Sequence, residues 1–362
     1  VPDHAQPRSR PRRYALAVEL TSHCNQRCSY CYNDWRADNG RSVGALPSAT
    51  LLPLLDRVLG EVEFDHVTLT GGEPLARHDF FAVLELLDRH QTGAFIISNG
   101  GLVTDAIADR LAAHRLRGIQ ITLNSTNAAL HDELVGGAHF EATLTGIRAL
   151  RARGVPVVGS IVVTRKNAGE VGDILDLWRS LDVMTVALSR FSPAGYASAH
   201  VAELLPSRGE LVVALAAAEQ RAIAGMDLQV TLPMPPCMIE HADYPHIAFG
   251  SCPIGTEMQE FALGPRGELR MCTLHVDALG DATTTSLAEL VESPKLAAYR
   301  DVTPEFCAPC PHRSSCLGGC GAAGTAVLGE ARGLDPIVAQ HVDEALAQRL
   351  AAARRRHLPV LA

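Results

Sequence analysis

The stretch Thr21-Ser22-His23-Cys24-Asn25-Gln26-Arg27-Cys28-Ser29-Tyr30-Cys31-Tyr32 follows directly on the apolar run Tyr14 to Leu20 and sets three cysteines in a C-x-x-x-C-x-x-C frame. Three thiolates this close can hold three irons of a [4Fe-4S] cube, because cysteine sulfur is the standard ligand of such clusters. The fourth iron then lacks a protein ligand and can chelate a small molecule, whereas a cluster closed by four cysteines mainly passes electrons. Tyr30 puts an aromatic face beside the site. The triad alone leaves a zinc site or buried thiols open as alternatives, although zinc usually takes a fourth ligand close by in sequence.

At 362 residues the chain exceeds one usual compact domain, so a large domain plus a smaller one is expected, and its 47% apolar content is ample for buried cores. Lys and Arg total 32 against 40 Asp and Glu, a net charge of −8, which argues against a nonspecific nucleic-acid binder. No window reaches the apolar length that crosses a bilayer, and the first residues hold no apolar signal region. A cytoplasmic protein with neither nucleic acid nor membrane as partner is expected. Ten cysteines in ligand-like spacings fit a reducing compartment better than a disulfide framework in a chain this long and helix-rich.

Working outward from the triad, Val1 to Arg13 is rich in Pro and Arg and reads as a disordered arm. Tyr14 to Leu20 reads as a first strand. Helical spacing then alternates with short apolar strands: Leu51, Leu54, Leu55 and Val58 before Val67 to Leu69; Phe80, Val83, Leu84 and Leu87 before Phe95 to Ile97 and Ile119 to Leu123. Leu144 and Ile147 precede Val157 to Val163, and Ile174, Leu177, Trp178 and Leu181 precede Val183 to Leu188. Six strands alternating with helices predict an α/β fold, a partial (β/α)6 TIM-type barrel whose active-site groups sit on the loops after the strands.

On those loops stand Gly71-Gly72-Glu73-Pro74, Ser98-Asn99-Gly100, Thr122-Leu123-Asn124 and Arg190 to Gly195. Alone, each is also an ordinary polar strand end. The three-cysteine frame, Tyr30 and the GGEP loop together resemble the radical S-adenosylmethionine (radical SAM) enzymes. The resemblance implies that the methionyl amine and carboxylate of S-adenosylmethionine bind the open iron. It places Gly71, Gly72 and Glu73 on the amine, Ser98 and Asn99 on a polar turn of the cofactor site, and Pro193 with Gly195 on the adenine side. Peptide-modifying members often show Ser-x-Asp at the fourth strand. Here Thr122 keeps a hydroxyl for the cofactor and Asn124 lacks the charge, which puts an acid-base role there in doubt.

Residues 206 to 225 form an Ala-rich helical stretch, after which the chain turns rich in Gly, Pro and Cys. Phe261 to Leu263 and Glu268 to Met271 read as a β-hairpin delivering Cys272. Cys307, Cys310, Cys316 and Cys320 follow C-x-x-C-x5-C-x-x-x-C, which by spacing suits zinc equally well. With Cys252, Cys272 and the helical segment Leu287 to Arg300, this run resembles the SPASM extension of radical SAM enzymes, which houses auxiliary [4Fe-4S] clusters. The implied division is an arm (1–13), the barrel (14–205), a connecting helical segment (206–236), a SPASM-like domain (237–340) and a C-terminal helix (341–362).

The resemblance implies one or two auxiliary clusters, yet only seven cysteines remain beyond the triad and two closed clusters need eight. Where the family places the closing cysteine, this chain reads Asp335-Pro336-Ile337-Val338. By the resemblance, Cys252, Cys272 and Cys320 serve the first auxiliary cluster with Cys237 as fourth ligand. Cys307, Cys310 and Cys316 hold the second, with an open iron or His312, Asp335 or His341, unless that cluster has degenerated. Ile337 to Arg356 is expected to be a helix with Arg354, Arg355 and Arg356 capping its end.

The activity implied is reductive cleavage of S-adenosylmethionine to a 5′-deoxyadenosyl radical that takes a substrate hydrogen, with a reductant such as flavodoxin or ferredoxin as partner. The substrate expected is a ribosomally made peptide precursor that receives a thioether, carbon-carbon or related crosslink. Cys24 lies so near Val1 that no precursor-binding domain is expected ahead of it, which points to a separate recognition protein or to the alternative, a radical oxidase or epimerase of a small metabolite. In an epimerase, Cys237 would return the hydrogen atom. A non-catalytic iron-sulfur or zinc protein is the third reading, disfavoured by the Gly71 to Pro74 loop. Sulfatase maturation is disfavoured because Thr273 stands where those enzymes carry an Asp base.

Overall fold

The computed structural model describes residues 14–36, 44–329 and 333–342. The first half of the chain is a series of β/α units: β1 (Tyr14–Glu19), α1 (Ser48–Glu61), β2 (Phe64–Thr70), α2 (Phe80–Arg89), β3 (Ala94–Ser98), α3 (Asp105–Ala112), β4 (Leu116–Thr122), α4 (Ala128–Val135), α5 (Phe140–Ala152), β5 (Val157–Val163), α6 (Val171–Ser180) and β6 (Thr185–Arg190). These six strands pair in parallel and in chain order, as their alternation with helices predicts. Leu16, Leu69, Ile96, Ile121, Ile161 and Val186 are buried in the sheet beneath Val58, Leu84, Ile147 and Ile174 of the helices. Each such side chain contributes about 1.5–3 kcal/mol by leaving water. Gly159 in β5 lets the Trp178 ring lie on the sheet, since a Cβ there would stand 2.8 Å from it.

The sheet does not stop at six strands. After α7 (Val201–Leu204) and α8 (Arg208–Ile223) come β7 (Asp227–Val230), β8 (Ile247–Phe249), β9 (Glu260–Leu263), β10 (Glu268–Arg270) and β11 (Ala278–Asp281). The ladder runs β11-β10-β9-β1-β2-β3-β4-β5-β6-β7-β8, with β7 and β8 added in parallel beyond β6 and β9 in parallel against β1. Strands of three or four residues are too short to show a period of two, so the sequence does not announce β7 and β8. The boundaries expected at residues 206 and 237 therefore fall within one continuous sheet. α8 is a genuine helix: Ser207 and Glu210 close a reciprocal capping box, and Leu211, Ala214, Leu215, Ala218 and Ala222 face inward. It packs on α6.

The expected hairpin is present, with Leu263 opposite Leu269 and Gly267 at φ +97° in its turn. The expected helix Leu287 to Arg300 is broken into α9 (Leu287–Leu290) and α10 (Lys295–Asp301), because Pro294 has no N–H to continue a helix and instead opens the next one. α11 (Arg313–Cys316), α12 (Gly321–Leu328) and α13 (Pro336–Val342) complete the described chain. The expected arm 1–13 and residues 343–362, with Arg354 to Arg356, lie outside the described residues. Among the described residues no helix is long and apolar enough to cross a membrane.

Candidate active site

The triad loop leaves the C-terminal end of β1, and the loop after β2 is fastened to it by backbone. Gly72 N–H donates to the Thr21 carbonyl at 2.7 Å and Glu73 N–H to that of His23 at 2.8 Å. Asn33 Nδ2 donates to the Gly71 carbonyl at 2.9 Å. Glycine is required here for close approach: a Cβ on Gly72 would lie 2.1 Å from the His23 oxygen, and one on Gly71, at φ +129°, 2.5 Å from the Thr21 oxygen. A Cβ at 2.1 Å could be accommodated only by parting the loops by about an ångström, which breaks both hydrogen bonds. We therefore expect Gly72→Ala to cost about 3 kcal/mol or more and to release the triad cluster, read as iron content and thermal midpoint. Unchanged iron and midpoint would remove this loop-to-loop seam from the account.

Glu73 is fully buried. Its Oε1 accepts from Ser98 Oγ at 2.8 Å and Leu75 N–H at 3.1 Å, and its Oε2 from Asn99 N–H at 2.9 Å. Burial raises the carboxyl to about 7 against these three donors, which favour its charged form. A cation brought to the site restores the charge. Asn99 Nδ2 donates to Asn25 Oδ1 at 2.8 Å and approaches Cys24 Sγ at 3.8 Å, so the β3 end positions the triad loop as well.

Cys24, Cys28, Cys31, Tyr30, Gly71, Gly72, Glu73, Ser98, Asn99 and Thr122 all line one cavity of about 500 Å³, as expected for a cofactor site. Its wall also includes Arg190 and Ser192 of the expected loop after β6, and Trp35, Ser160, Thr231, Glu260 and Leu274, contributed by loops and strands that no local motif marks. Buried polar atoms of two wall residues, Asn33 Oδ1 and Ser192 Oγ, have no partner among the described residues. Three soft thiol donors on one loop beside an aromatic and a buried carboxyl suit an iron-sulfur cluster with an aminoacyl ligand.

Two expected cofactor residues are placed elsewhere. Asn124 does not line the cavity: its Oδ1 accepts Val162 N–H at 2.8 Å and its carbonyl accepts Asn167 Nδ2 at 2.8 Å, so it stitches the end of β4 to β5. Gly195 also lies off the cavity. At φ +52°, a Cβ on it would stand 2.0 Å from the Tyr32 oxygen, and the next residues donate to the Asn33 carbonyl at 3.2 Å and the Cys31 carbonyl at 2.9 Å. It seats the far end of the triad loop.

All ten cysteines are outside disulfides. Cys252, Cys272 and Cys320 are electrostatic neighbours, and burial pushes the Cys272 thiol up to about 12 and Cys320 to about 11. Thr273 and Leu274, directly after Cys272, reach the large cavity. Cys237 is not with this group, contrary to the sequence expectation. It lines a separate cavity of about 200 Å³ with Cys307, Cys310, Cys316, His312 and Val338. That placement also removes Cys237 from the large cavity, where a hydrogen donor to substrate would stand. Among the described residues no three His, Cys, Asp or Glu side chains converge on one point as a single metal ion needs. A four-iron cube sets its thiolates wider apart than the ~2.3 Å bonds of tetrahedral zinc do. Asp335 is engaged as a partner of buried Arg190 and as acceptor of Cys320 N–H at 2.7 Å and Ile337 N–H at 3.1 Å, while His341 is exposed.

A donor set of this kind at the C-terminal edge of a parallel sheet marks a cluster-dependent α/β enzyme. The Radical SAM superfamily model matches residues 18–177. PqqA peptide cyclase of Gluconobacter oxydans is 26% identical over 332 residues, covering 89% of each chain. Mycofactocin maturase MftC of Mycobacterium tuberculosis is 26% identical over 362 residues, covering 95% of this chain and 86% of its own. Among solved structures, anSMEcpe with bound AdoMet superposes with a TM-score of 0.68 at 19% identity, over 95% of this chain and 99% of that one. Streptococcus suis SuiB bound to the precursor peptide SuiA gives 0.68 at 14% identity, over 90% and 75%. Residues 18–177 thus form a Radical SAM domain, the relatives and structural neighbours are radical SAM enzymes of the SPASM type, and the domain implies a [4Fe-4S] cluster and S-adenosylmethionine as cofactors.

Proposed function

We propose that this enzyme modifies a ribosomally synthesised peptide, joining two of its positions through a thioether, carbon-carbon or related crosslink. The observation that carries this reading is the alignment with two peptide maturases across 89% and 95% of the chain, SPASM region included. When bound, the cluster and S-adenosylmethionine supply a 5′-deoxyadenosyl radical that abstracts a substrate hydrogen atom. The chain's own task is to hold the cofactor and exclude water. Glu73, Ser98, Asn99 and Thr122 bind and orient it on one side of the cavity. Thr70, Ser160, Ser189 and Ser192 leave polar groups along the wall where a peptide backbone can be held. Thr273 presents a hydroxyl beside the auxiliary cysteines, so residue 273 does not act as a carboxylate base. A flavodoxin- or ferredoxin-type donor supplies the electron, and a separate recognition protein presents the precursor. The cytoplasm, which keeps thiols reduced, is the compartment this chemistry fits.

The test is anaerobic reconstitution with the short peptides encoded beside the gene, S-adenosylmethionine and a reductant, followed by mass spectrometry. A peptide lighter by two hydrogen atoms, formed in step with 5′-deoxyadenosine, is the expected product. Unaltered peptides together with turnover of a small metabolite would replace this reading by the oxidase or epimerase alternative.

A further inference from the structure

The SPASM region contains one ligand problem that the tertiary structure resolves differently from the sequence. Val338, 1% exposed, occupies the wall of the smaller cavity that a closing cysteine would occupy, and a valine side chain offers no electron pair to iron. Facing the same cavity from another part of the chain is Cys237. It sits on the turn Pro235-Pro236-Cys237-Met238, which is held in three ways. Met238 N–H donates to the Pro235 carbonyl at 2.8 Å, Arg208 Nε to the Met238 carbonyl at 2.8 Å, and Met238 with Ile239 is buried in the main core. The electrostatic neighbours of Cys237 are Cys316, Cys310 and Asp335, not Cys252, Cys272 or Cys320, and Asp335 is already held by Arg190 and the Cys320 and Ile337 N–H groups.

The opposite wall is shaped for cluster-sized occupancy. Leu317, Gly318 and Gly319 follow Cys316 with φ of +56°, +83° and +90°, a left-handed run that turns the Gly318 and Gly319 N–H groups toward the Cys316 sulfur, while Leu317 N–H donates to the Arg313 carbonyl at 3.1 Å. A Cβ on Gly318 would meet the Pro304 ring at 2.8 Å and Cys307 Sγ at 3.4 Å, so glycine keeps the sulfur side of the cavity clear. Four thiols thus border about 200 Å³ of space, with Val338 and the exposed His312 among the other wall residues.

We propose that Cys237 replaces the thiolate that residue 338 does not supply, so that Cys237, Cys307, Cys310 and Cys316 together ligate one auxiliary [4Fe-4S] cluster. Of the seven cysteines beyond the triad, three remain. Cys252, Cys272 and Cys320 then hold the other auxiliary cluster with one iron open, behind Thr273 and Leu274 and hence next to the large cavity. The vacancy belongs to the substrate-side site, and the outer site is closed. This assignment does not depend on the substrate.

The test uses the anaerobically loaded full chain and reads iron, zinc and the Mössbauer spectrum. In a Cys252→Ala/Cys320→Ala background, about eight irons should remain, and adding Cys237→Ala should leave one iron of the outer cluster without a thiolate, read as a changed Mössbauer spectrum of that cluster or as loss of its roughly four irons, the triad cluster serving as internal control for folding. Val338→Cys added to Cys237→Ala should restore the all-thiolate spectrum and about eight irons. In a Cys307→Ala/Cys310→Ala background, Cys237→Ala should change neither iron content nor spectrum. The assignment is overturned if Cys237→Ala perturbs the cluster in this second background, if it leaves the first background unchanged, or if the metal lost is zinc.

Discussion

Reconstituted Cys28→Ala enzyme should form 5′-deoxyadenosine only at background, a loss of at least about a thousandfold, or roughly 4 kcal/mol in transition-state terms. Cys28 is the middle ligand of a loop that is pinned at both ends. Gly72 and Glu73 fasten its start, and Ala197 N–H, donating to the Cys31 carbonyl at 2.9 Å, fastens its finish. The loop therefore cannot shift to let a neighbouring residue substitute. Gln26 within the loop offers only an amide, whose Oε1 lies 3.5 Å from the Cys28 sulfur. Iron content should fall by about four per chain while the auxiliary signals persist. Wild-type rates in this variant would remove the triad from the mechanism.

Asp335→Ala should be the most destabilising change outside the triad, lowering the unfolding free energy by about 3–5 kcal/mol. Arg190 and Asp335 form an ion pair in which both side chains are essentially fully buried, at 1% and 0% exposure. The arginine also donates from Nε to the Pro233 carbonyl at 2.9 Å. Removing the carboxylate leaves a guanidinium charge in the interior and frees Cys320 N–H and Ile337 N–H from their acceptor. The pair connects the end of β6, in the wall of the large cavity, to the segment that seats Cys320 and Val338. Chemical denaturation of the loaded protein under anaerobic conditions gives the measurement. An Arg190→Met/Asp335→Leu double variant should recover most of the loss, since the penalty comes from an unpaired charge rather than from the absence of a strong bond. Equal destabilisation of the single and double variants would show that packing, not charge, sets the cost.

A related pair works at the other end of the sheet. Glu19, at the end of β1, is paired with Arg270 of β10, and Arg270 also donates to the His275 carbonyl at 3.2 Å. Burial raises the Glu19 carboxyl to about 7 despite the arginine. Both pairs therefore tie the parallel β/α units to the cysteine-rich region through buried charged groups.

The local chemistry was readable before any coordinates. Cys24, Cys28 and Cys31 lie within one loop, and Gly71-Gly72-Glu73 within another, so ligand number and spacing are properties of contiguous residues. The six-strand alternation was equally legible, because helices and buried strands of five residues or more carry their periods in the sequence. What the glycines approach was not legible. The resemblance places Gly71 and Gly72 at the cofactor amine, and the structure shows that they also bring two backbones together. Asn124 and Gly195 carry motif-like positions, but Asn124 gives its Oδ1 to the β5 backbone and Gly195 gives its space to the triad loop. The longest-range decisions belong to tertiary structure alone. Short strands join a sheet only because an edge is waiting for them, as β9 joins β1. Cys237, itself exposed, faces Cys310 and Cys316 only because a turn anchored by buried Met238 and Ile239 carries it there. Sequence spacing counts the thiols; packing between distant segments decides which of them share a cavity.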